Sequence, residues 1–420
     1  MYQNSMELYY SFSVLIVLAS FFAYLNLRFL KLPSSIGVMI IAMISSILLV
    51  IAGNIAPNTL SRFSNLLQEV DFTEVLMGAM LNFLLFAGAI HINLNDLREQ
   101  RGPIIIFSSV SVLISAFAVG GLLYFISPFL GFDIPFIYCL LFGALISPTD
   151  PIAVLGILKE ARVRKSLETK VAGESLFNDG VAVVVFAVIL QLAQDPNIDL
   201  SVGNVTWLLV KEALGGFLLG TLLGLGSSHA MRQIDDYKVS VLITLSVVMG
   251  GYLIAHSMHI SGPLTMVAAG LVIGNYGKKT AMSTTTKDYL NKFWELIDDI
   301  LNAILFLFIG FELLLIPNLT SYWLIGLCAI FIVLFARFIS IYLPVFLIPF
   351  KTKFSPGTIK ILVWGGLRGG VSIALALSIE EGPYKLLLIG ITYFVVVFSI
   401  IVQGLSIGKL ADRVLSKEEA

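Results

Sequence analysis

The sequence predicts an all-α polytopic membrane protein: thirteen transmembrane helices in two inverted six-helix repeats, with crossed, broken helices at spans five and twelve. Three observations carry this prediction. The chain is 58% hydrophobic and 13% charged, about half the ~25% charge of soluble domains, and its mean hydropathy is +0.94. Its apolar runs alternate with loops that are basic on one side only. Two of those runs are interrupted at matching positions. The net charge of −1 gives no reason to expect a nucleic-acid partner. Cys139 and Cys328 both fall in apolar runs, where buried thiols are expected rather than a disulfide. The first apolar run lacks a basic leader and a small-residue cleavage site, so no cleavable signal peptide is expected. No polar stretch has room for a soluble domain. One membrane domain is expected over 1–412, with a short cytoplasmic tail at 413–420.

Crossing the hydrocarbon takes about 20 apolar residues. Reading runs between polar breaks gives spans at roughly 8–29, 34–53, 74–93, 103–127, 135–158, 168–193, 205–230, 238–258, 263–276, 296–316, 321–349, 357–380 and 385–410. The ninth is short and contains glycine. Ahead of the tenth, Thr284–Ile297 mixes Lys287, Lys292 and Glu295 with Tyr289, Phe293 and Trp294, which suggests a helix lying along the interface.

Basic residues follow every second span. Arg28 and Lys31 come after the first, Arg98 and Arg101 after the third, and Lys159, Arg162, Arg164 and Lys165 after the fifth. Arg232 and Lys238 flank the gap after the seventh; Lys278, Lys279, Lys287 and Lys292 follow the ninth; Lys351, Lys353 and Lys360 follow the eleventh. Lys409, Arg413 and Lys417 form the tail, while the alternate loops hold Arg62 and Lys385. Missing or adding a span would destroy this alternation. The N-terminus is therefore expected outside and the C-terminus in the cytoplasm, in the cell membrane.

An odd count invites a search for inverted repeats. Repeat one covers about 8–193, a linker helix about 205–230, and repeat two about 238–410. Span five then pairs with span twelve. Span five contains Ser147-Pro148-Thr149-Asp150-Pro151, and span twelve contains Gly365-Gly366-Leu367-Arg368-Gly369-Gly370. Prolines break a helix, and each glycine weakens one by about 1 kcal/mol relative to alanine. Broken helices at equivalent positions of inverted halves point to a transporter that works by alternating access.

The polar groups at membrane depth come next, since a charge there costs at least ~2.5 kcal/mol and faces a cavity, a partner or an ion. In span six, at about 100° per residue, Ser175 and Asp179 lie roughly 40° apart, while Glu174 and Asn178 share a second face. One carboxylate can meet an ion and the other a base. Arg337, deep in span eleven, is the candidate partner, because guanidinium keeps its proton. Asp150 and Arg368 sit at the two breaks. A carboxylate beside half-helix N-termini and a guanidinium beside C-termini would offset the macrodipoles. Lys211 reads as snorkelling to the interface. Asn82 either lines a cavity or bridges helices. His91, His256 and His259 read as interfacial residues or as a pH sensor. Asp298 and Asp299 are placed at the start of span ten, suited to a helix N-terminus; Asp299 alternatively guards a cytoplasmic funnel.

At these motifs the chain resembles the CPA1 family of cation/proton antiporters, the NhaP-type sodium/proton exchangers, and more distantly the animal Na⁺/H⁺ exchangers. The resemblance rests on Ser147–Pro151, on Glu174-Ser175-Leu176-Phe177-Asn178-Asp179, on Arg337, and on Gly366-Leu367-Arg368-Gly369. It spans the order and spacing of spans five to twelve. The resemblance implies that Asp179 carries the ion and the proton, with Ser175 and the Thr149 carbonyl as Na⁺ ligands. Asn178 would be the neutral half of the Asn-Asp pair found in electroneutral members. Glu174 would pair with Arg337. It also implies a core bundle, a dimerisation bundle and a homodimer, and no cofactor beyond the transported Na⁺ and H⁺. Some members place a further acidic ligand within span three, where the middle of the span in this chain offers only Asn82.

The function expected is Na⁺ (or Li⁺) exchange for H⁺, electroneutral at 1:1, serving pH and sodium homeostasis. A buried carboxylate that holds either a proton or a dehydrated cation couples the two fluxes. K⁺/H⁺ exchange is the nearest alternative. An organic-anion transporter would use Arg337 or Arg368 as its handle, but Glu174 is available to neutralise one. A hydrolase is not expected, since the chain shows neither a Ser-His-Asp set nor an HExxH motif.

Overall fold

Helices follow one another without a strand among the residues described by the computed structural model, which are 2–53, 80–150, 154–155, 158, 163, 165–194, 201–314, 316, 319–350 and 354–418. Pro151, the part of span five after Asp150 apart from 154–155 and 158, and the basic residues Arg62, Lys159, Arg162, Arg164, Lys351 and Lys353 lie outside the described residues.

The principal helices are α1 (Tyr2–Leu25), α2 (Ser34–Gly53), α3 (Leu81–His91), α4 (Ser111–Ile126), α5 (Phe136–Leu145), α6 (Lys165–Gln194), α7 (Val202–Arg232) and α8 (Tyr237–Ser257). They continue as α9 (Gly262–Val272), α10 (Thr284–Glu312), α11 (Trp323–Leu347), α12 (Pro356–Trp364), α13 (Gly370–Leu377), α14 (Lys385–Phe398) and α15 (Gly404–Glu418). Among the described residues, eight helical segments are long and apolar enough to cross a membrane: Ser13–Leu30, Ser34–Ala52, Arg101–Leu130, Leu167–Gln194, Gly203–Arg232, Tyr237–Ser257, Leu319–Leu347 and Lys385–Val414. Their order matches predicted spans one, two, four, six, seven, eight, eleven and thirteen. The shorter apolar helices Leu81–His91 and Phe136–Leu145 fall in spans three and five.

Small residues let these helices approach closely, as they do wherever lipid removes the hydrophobic drive for association. Gly143 of α5 lies against the Ala116 backbone of α4, and Gly310 of α10 against Met39 and Ala42 of α2, so that a Cβ at either glycine would collide. Ser46 donates to the Gly310 carbonyl at 2.9 Å across the second contact.

Two buried apolar clusters result. One gathers residues from α1, α2, α4, α5, the end of α10, and α11 to α15. The other gathers α3, α8, α9 and the first half of α10. Helix α6 touches both, through Val185, Phe186 and Ile189 on one side and Leu176 on the other.

The expected interfacial helix ahead of span ten is instead the first half of α10, one continuous helix of 29 residues, about 43 Å long. Ser283 caps it, accepting from the Thr286 amide at 3.3 Å. Of the aromatic side chains that suggested an interface, Tyr289 is exposed and stacks on Tyr237, whereas Trp294 is core packing. Trp294 is fully buried, its ring 4.6 Å from that of Phe86, and its indole N–H donates to Thr244 Oγ1 at 3.1 Å. Asp298 and Asp299 therefore sit mid-helix, and dipole complementarity at an N-terminus does not account for them.

Candidate functional site

Span five stops helical structure where the proline and aspartate dictate. Helix α5 ends at Leu145, and 147–150 are irregular. Span twelve stops at Trp364 and resumes at Gly370. The two irregular segments cross, and the Asp150 backbone N–H donates to the Leu367 carbonyl at 2.8 Å.

Each break leaves carbonyls that no helix satisfies, and two arginines meet them. Arg368 Nη1 donates to the carbonyls of Ser147 at 2.6 Å and Pro148 at 2.9 Å, just past the end of α5. Arg337 Nη2 donates to the Leu362 carbonyl at 2.8 Å, in the last turn of α12. The carboxylate of Asp150 abuts Gly369, the residue ahead of α13. Cations at C-termini and an anion at an N-terminus are the favourable polarity for helix dipoles. Glycine is required at both contacts, because a Cβ on Gly366 would enter the Arg337 guanidinium and one on Gly369 the Asp150 carboxylate.

Helix α6 supplies the remaining groups. Arg337 Nη1 pairs with Glu174 Oε1 at 2.6 Å, with the two side chains 6% and 2% exposed. Thr149 Oγ1 meets Ser175 Oγ at 3.0 Å and accepts from Asn178 Nδ2 at 3.2 Å. Ser175 and Asn178 thus converge on one hydroxyl, although helix geometry alone had placed Asn178 on the face of Glu174. Asp179 is buried. It accepts from the Thr149 backbone N–H, so Thr149 contributes its amide and hydroxyl to the site's bonding. Oδ1 of Asp179 is buried without a hydrogen-bond partner among the described residues.

A cavity of about 750 Å³ leads to this point between the two apolar clusters. Asp179, Asp150 and Pro148 line its base, and Asp96, Lys165 and Glu168 line it farther out, with Lys165 paired to Asp96 at 3.2 Å. His91 and Asp299 also line it. Asn82 is buried on α3, and its oxygen lies near Gly262. His256 is in the last turn of α8, and His259 in the turn that follows.

Two supporting residues escaped the sequence reading. Residues Ser399–Gln403 form a π-helical turn. Ser399 Oγ accepts from the Arg368 backbone N–H at 2.8 Å and donates to Gln403 Oε1 at 2.7 Å, while Gln403 Nε2 donates to the Trp364 carbonyl at 3.0 Å. The turn therefore satisfies the break in span twelve from behind. A polar pair four residues apart in an apolar run was the available signal.

Interrupted helices crossing beside a buried carboxylate, at the base of a cavity, define a secondary transporter of the membrane. The comparisons give the family. The profile of the sodium/hydrogen exchanger, transmembrane, family matches residues 16–413. The chain is 48% identical over 411 residues to the Na(+)/H(+) antiporter NhaP of Pseudomonas aeruginosa, with 95% of each chain covered. It is 36% identical over 351 residues to the Na(+)/H(+) antiporter NhaH of Halobacillus dabanensis, covering 82% of this chain and 84% of that one. The structure of the sodium proton antiporter MjNhaP1 from Methanocaldococcus jannaschii shares the fold, with a TM-score of 0.76 over 98% of this chain and 99% of that one, at 21% identity. The chain belongs to the sodium/hydrogen exchanger family, a family of transporters rather than enzymes.

Proposed function

We propose that this protein exchanges Na⁺ for H⁺ across the cell membrane by alternating access, at one site built on Asp179, for pH and sodium homeostasis. The observation that carries the reading is the buried, half-bonded carboxylate of Asp179 at the base of the cavity. A charge so placed is costly until a proton or a cation neutralises it. Ser175, Asn178 and Thr149 surround it with oxygen and amide groups, an environment suited to a hard cation.

The charge balance of the crossing supports 1:1 exchange. Asp150, Glu174 and Asp179 carry one negative charge more than Arg337 and Arg368 balance. One H⁺ or one Na⁺ removes that excess, and the neutral site then crosses while the empty, charged site resists crossing. Asn178 beside Asp179 adds no second titrating group. Thirteen spans in two inverted repeats, an outside N-terminus, a cavity open to the cytoplasm and a homodimer whose core bundle moves against a dimerisation bundle complete the proposal. The basic loops and the paired breaks support this arrangement. An organic-anion reading is disfavoured because both arginines donate to backbone carbonyls and Arg337 is paired with Glu174.

The test is proton movement in proteoliposomes on addition of Na⁺, Li⁺ or K⁺, with and without a valinomycin-clamped K⁺ gradient. Na⁺- or Li⁺-driven flux with the same final pH gradient at both voltages supports the reading. A response to K⁺ alone points to K⁺/H⁺ exchange. A voltage-dependent endpoint contradicts 1:1 exchange, because one net charge is worth about 2.3 kcal/mol per 100 mV.

A further inference from the structure

One wall of the cavity is a single face of α10. Asn291, Glu295, Asp298, Asn302 and Leu305 all line it, and their spacings of four, three, four and three residues put them on one stripe. At 1.5 Å per residue the stripe is about 21 Å long. Its first four members bring side-chain oxygens. Its last, Leu305, packs against Gly370 at the start of α13, next to the contact between Asp150 and Gly369. The stripe therefore runs along the cavity to the crossing.

Asn302 stands out within it. The residue is 4% exposed. Its amide nitrogen donates to the Asp298 carbonyl at 2.8 Å and to Asp298 Oδ1 at 3.1 Å. Its amide oxygen is buried with no partner among the described residues. Those two bonds fix Asp298 and Asn302 against each other, one turn apart, on the stripe that lines the cavity. Among the described residues no ion pair reaches Asp298, and Lys165, the lysine lining the cavity, is paired with Asp96. Glu295 and Asp299 add to the negative potential.

We infer that Asp298 and Asn302 form a second, weaker site for a partly dehydrated monovalent cation, which holds the ion between the cavity mouth and Asp179. The inference rests on the sodium-exchange reading. The site gives up part of the ion's hydration shell to fixed oxygens before the last step, and it serves only ions arriving through this cavity.

The test is equilibrium binding of ²²Na⁺ to the purified full-length protein, followed by transport. Wild type should bind with two components. Asp179→Asn should lose the tighter one and keep saturable binding about tenfold weaker. Adding Asp298→Asn or Asn302→Leu to Asp179→Asn should abolish the remainder. With Asp179 intact, Asn302→Leu should raise KM for Na⁺ entering from the cavity side several-fold and leave KM from the opposite side unmoved; Asn302→Ser serves if the leucine variant is not monodisperse. Wild-type binding that disappears entirely in Asp179→Asn overturns the second site alone. A wild-type protein that binds no ²²Na⁺ overturns the sodium reading and this inference with it.

Discussion

Glu174→Ala separates a structural carboxylate from a ligand. In the native protein Glu174 is 2% exposed and its Oε1 sits 2.6 Å from Arg337 Nη1. Removing it leaves Arg337 with one described hydrogen bond to protein, the Leu362 carbonyl at 2.8 Å. A guanidinium stripped of its buried counter-ion is destabilising by about 3–5 kcal/mol, because the charge cannot be shed as a proton. The loss reports an uncompensated charge, so removing that charge as well should recover part of it. The assay is thermal stability of the purified protein in detergent, alongside Na⁺ KM in proteoliposomes. Glu174→Ala should melt markedly lower than wild type, Glu174→Ala/Arg337→Ala should melt above the single variant, and KM of the surviving protein should change little. A stable Glu174→Ala protein with greatly weakened Na⁺ affinity would refute the reasoning and make Glu174 a ligand. A double variant no more stable than the single one would refute the electrostatic account of the loss.

Other outcomes follow from the same geometry. Gly369→Ala and Gly366→Ala drive a Cβ into the Asp150 carboxylate and the Arg337 guanidinium, and overpacking of this kind costs about 1–3 kcal/mol; melting temperatures should fall, whereas Gly121→Ala, whose Cβ meets nothing nearby, should melt like wild type. Ser399→Ala removes an acceptor from the Arg368 backbone N–H and should lower stability by about 1–3 kcal/mol, measured the same way. Lys278, beyond the end of span nine, donates to the Ile90 carbonyl at 2.8 Å, and burial lowers its pKa from 10.5 to about 8. Unfolding therefore takes up a proton between those values, so this residue makes stability rise with pH across that window and contributes no slope below it. In Lys278→Met the rise in melting temperature between pH 8 and 10 should be smaller; an unchanged slope would remove Lys278 as its cause.

Much of the site was legible in the sequence because charges and helix breakers are conspicuous in apolar runs. Asp150, Arg368 and the paired interruptions declared themselves by residue type, and helical angles separated Glu174 from Asp179. What failed depended on where helices begin. The acidic pair Asp298-Asp299 was assigned to a helix start because charge was taken to end the apolar run, although Ser283 followed by three threonines was the capping signal for a start at Thr284. Hydropathy does not distinguish Trp294 at an interface from Trp294 in a core; Phe86 and Thr244 decide that. Nor does sequence spacing reveal the π-helical turn that brings Ser399 and Gln403 to the break, since their partners Arg368 and Trp364 are more than thirty residues away. Thr149 illustrates a subtler limit: its presence at the site was foreseeable, but which of its atoms bond to Ser175, Asn178 and Asp179 was not.

The account turns on Asp179 as one site shared by two ions, and Na⁺-driven proton flux in proteoliposomes, measured against pH, tests that directly. Wild type should show an apparent KM for Na⁺ that rises about tenfold for each unit of acidification once the proton occupies the site, as mass action requires of two ligands competing for one position, and Asp179→Asn should show no Na⁺-driven flux while still folding and inserting. A KM indifferent to pH, or an Asp179→Asn protein that still moves protons in response to Na⁺, would contradict it.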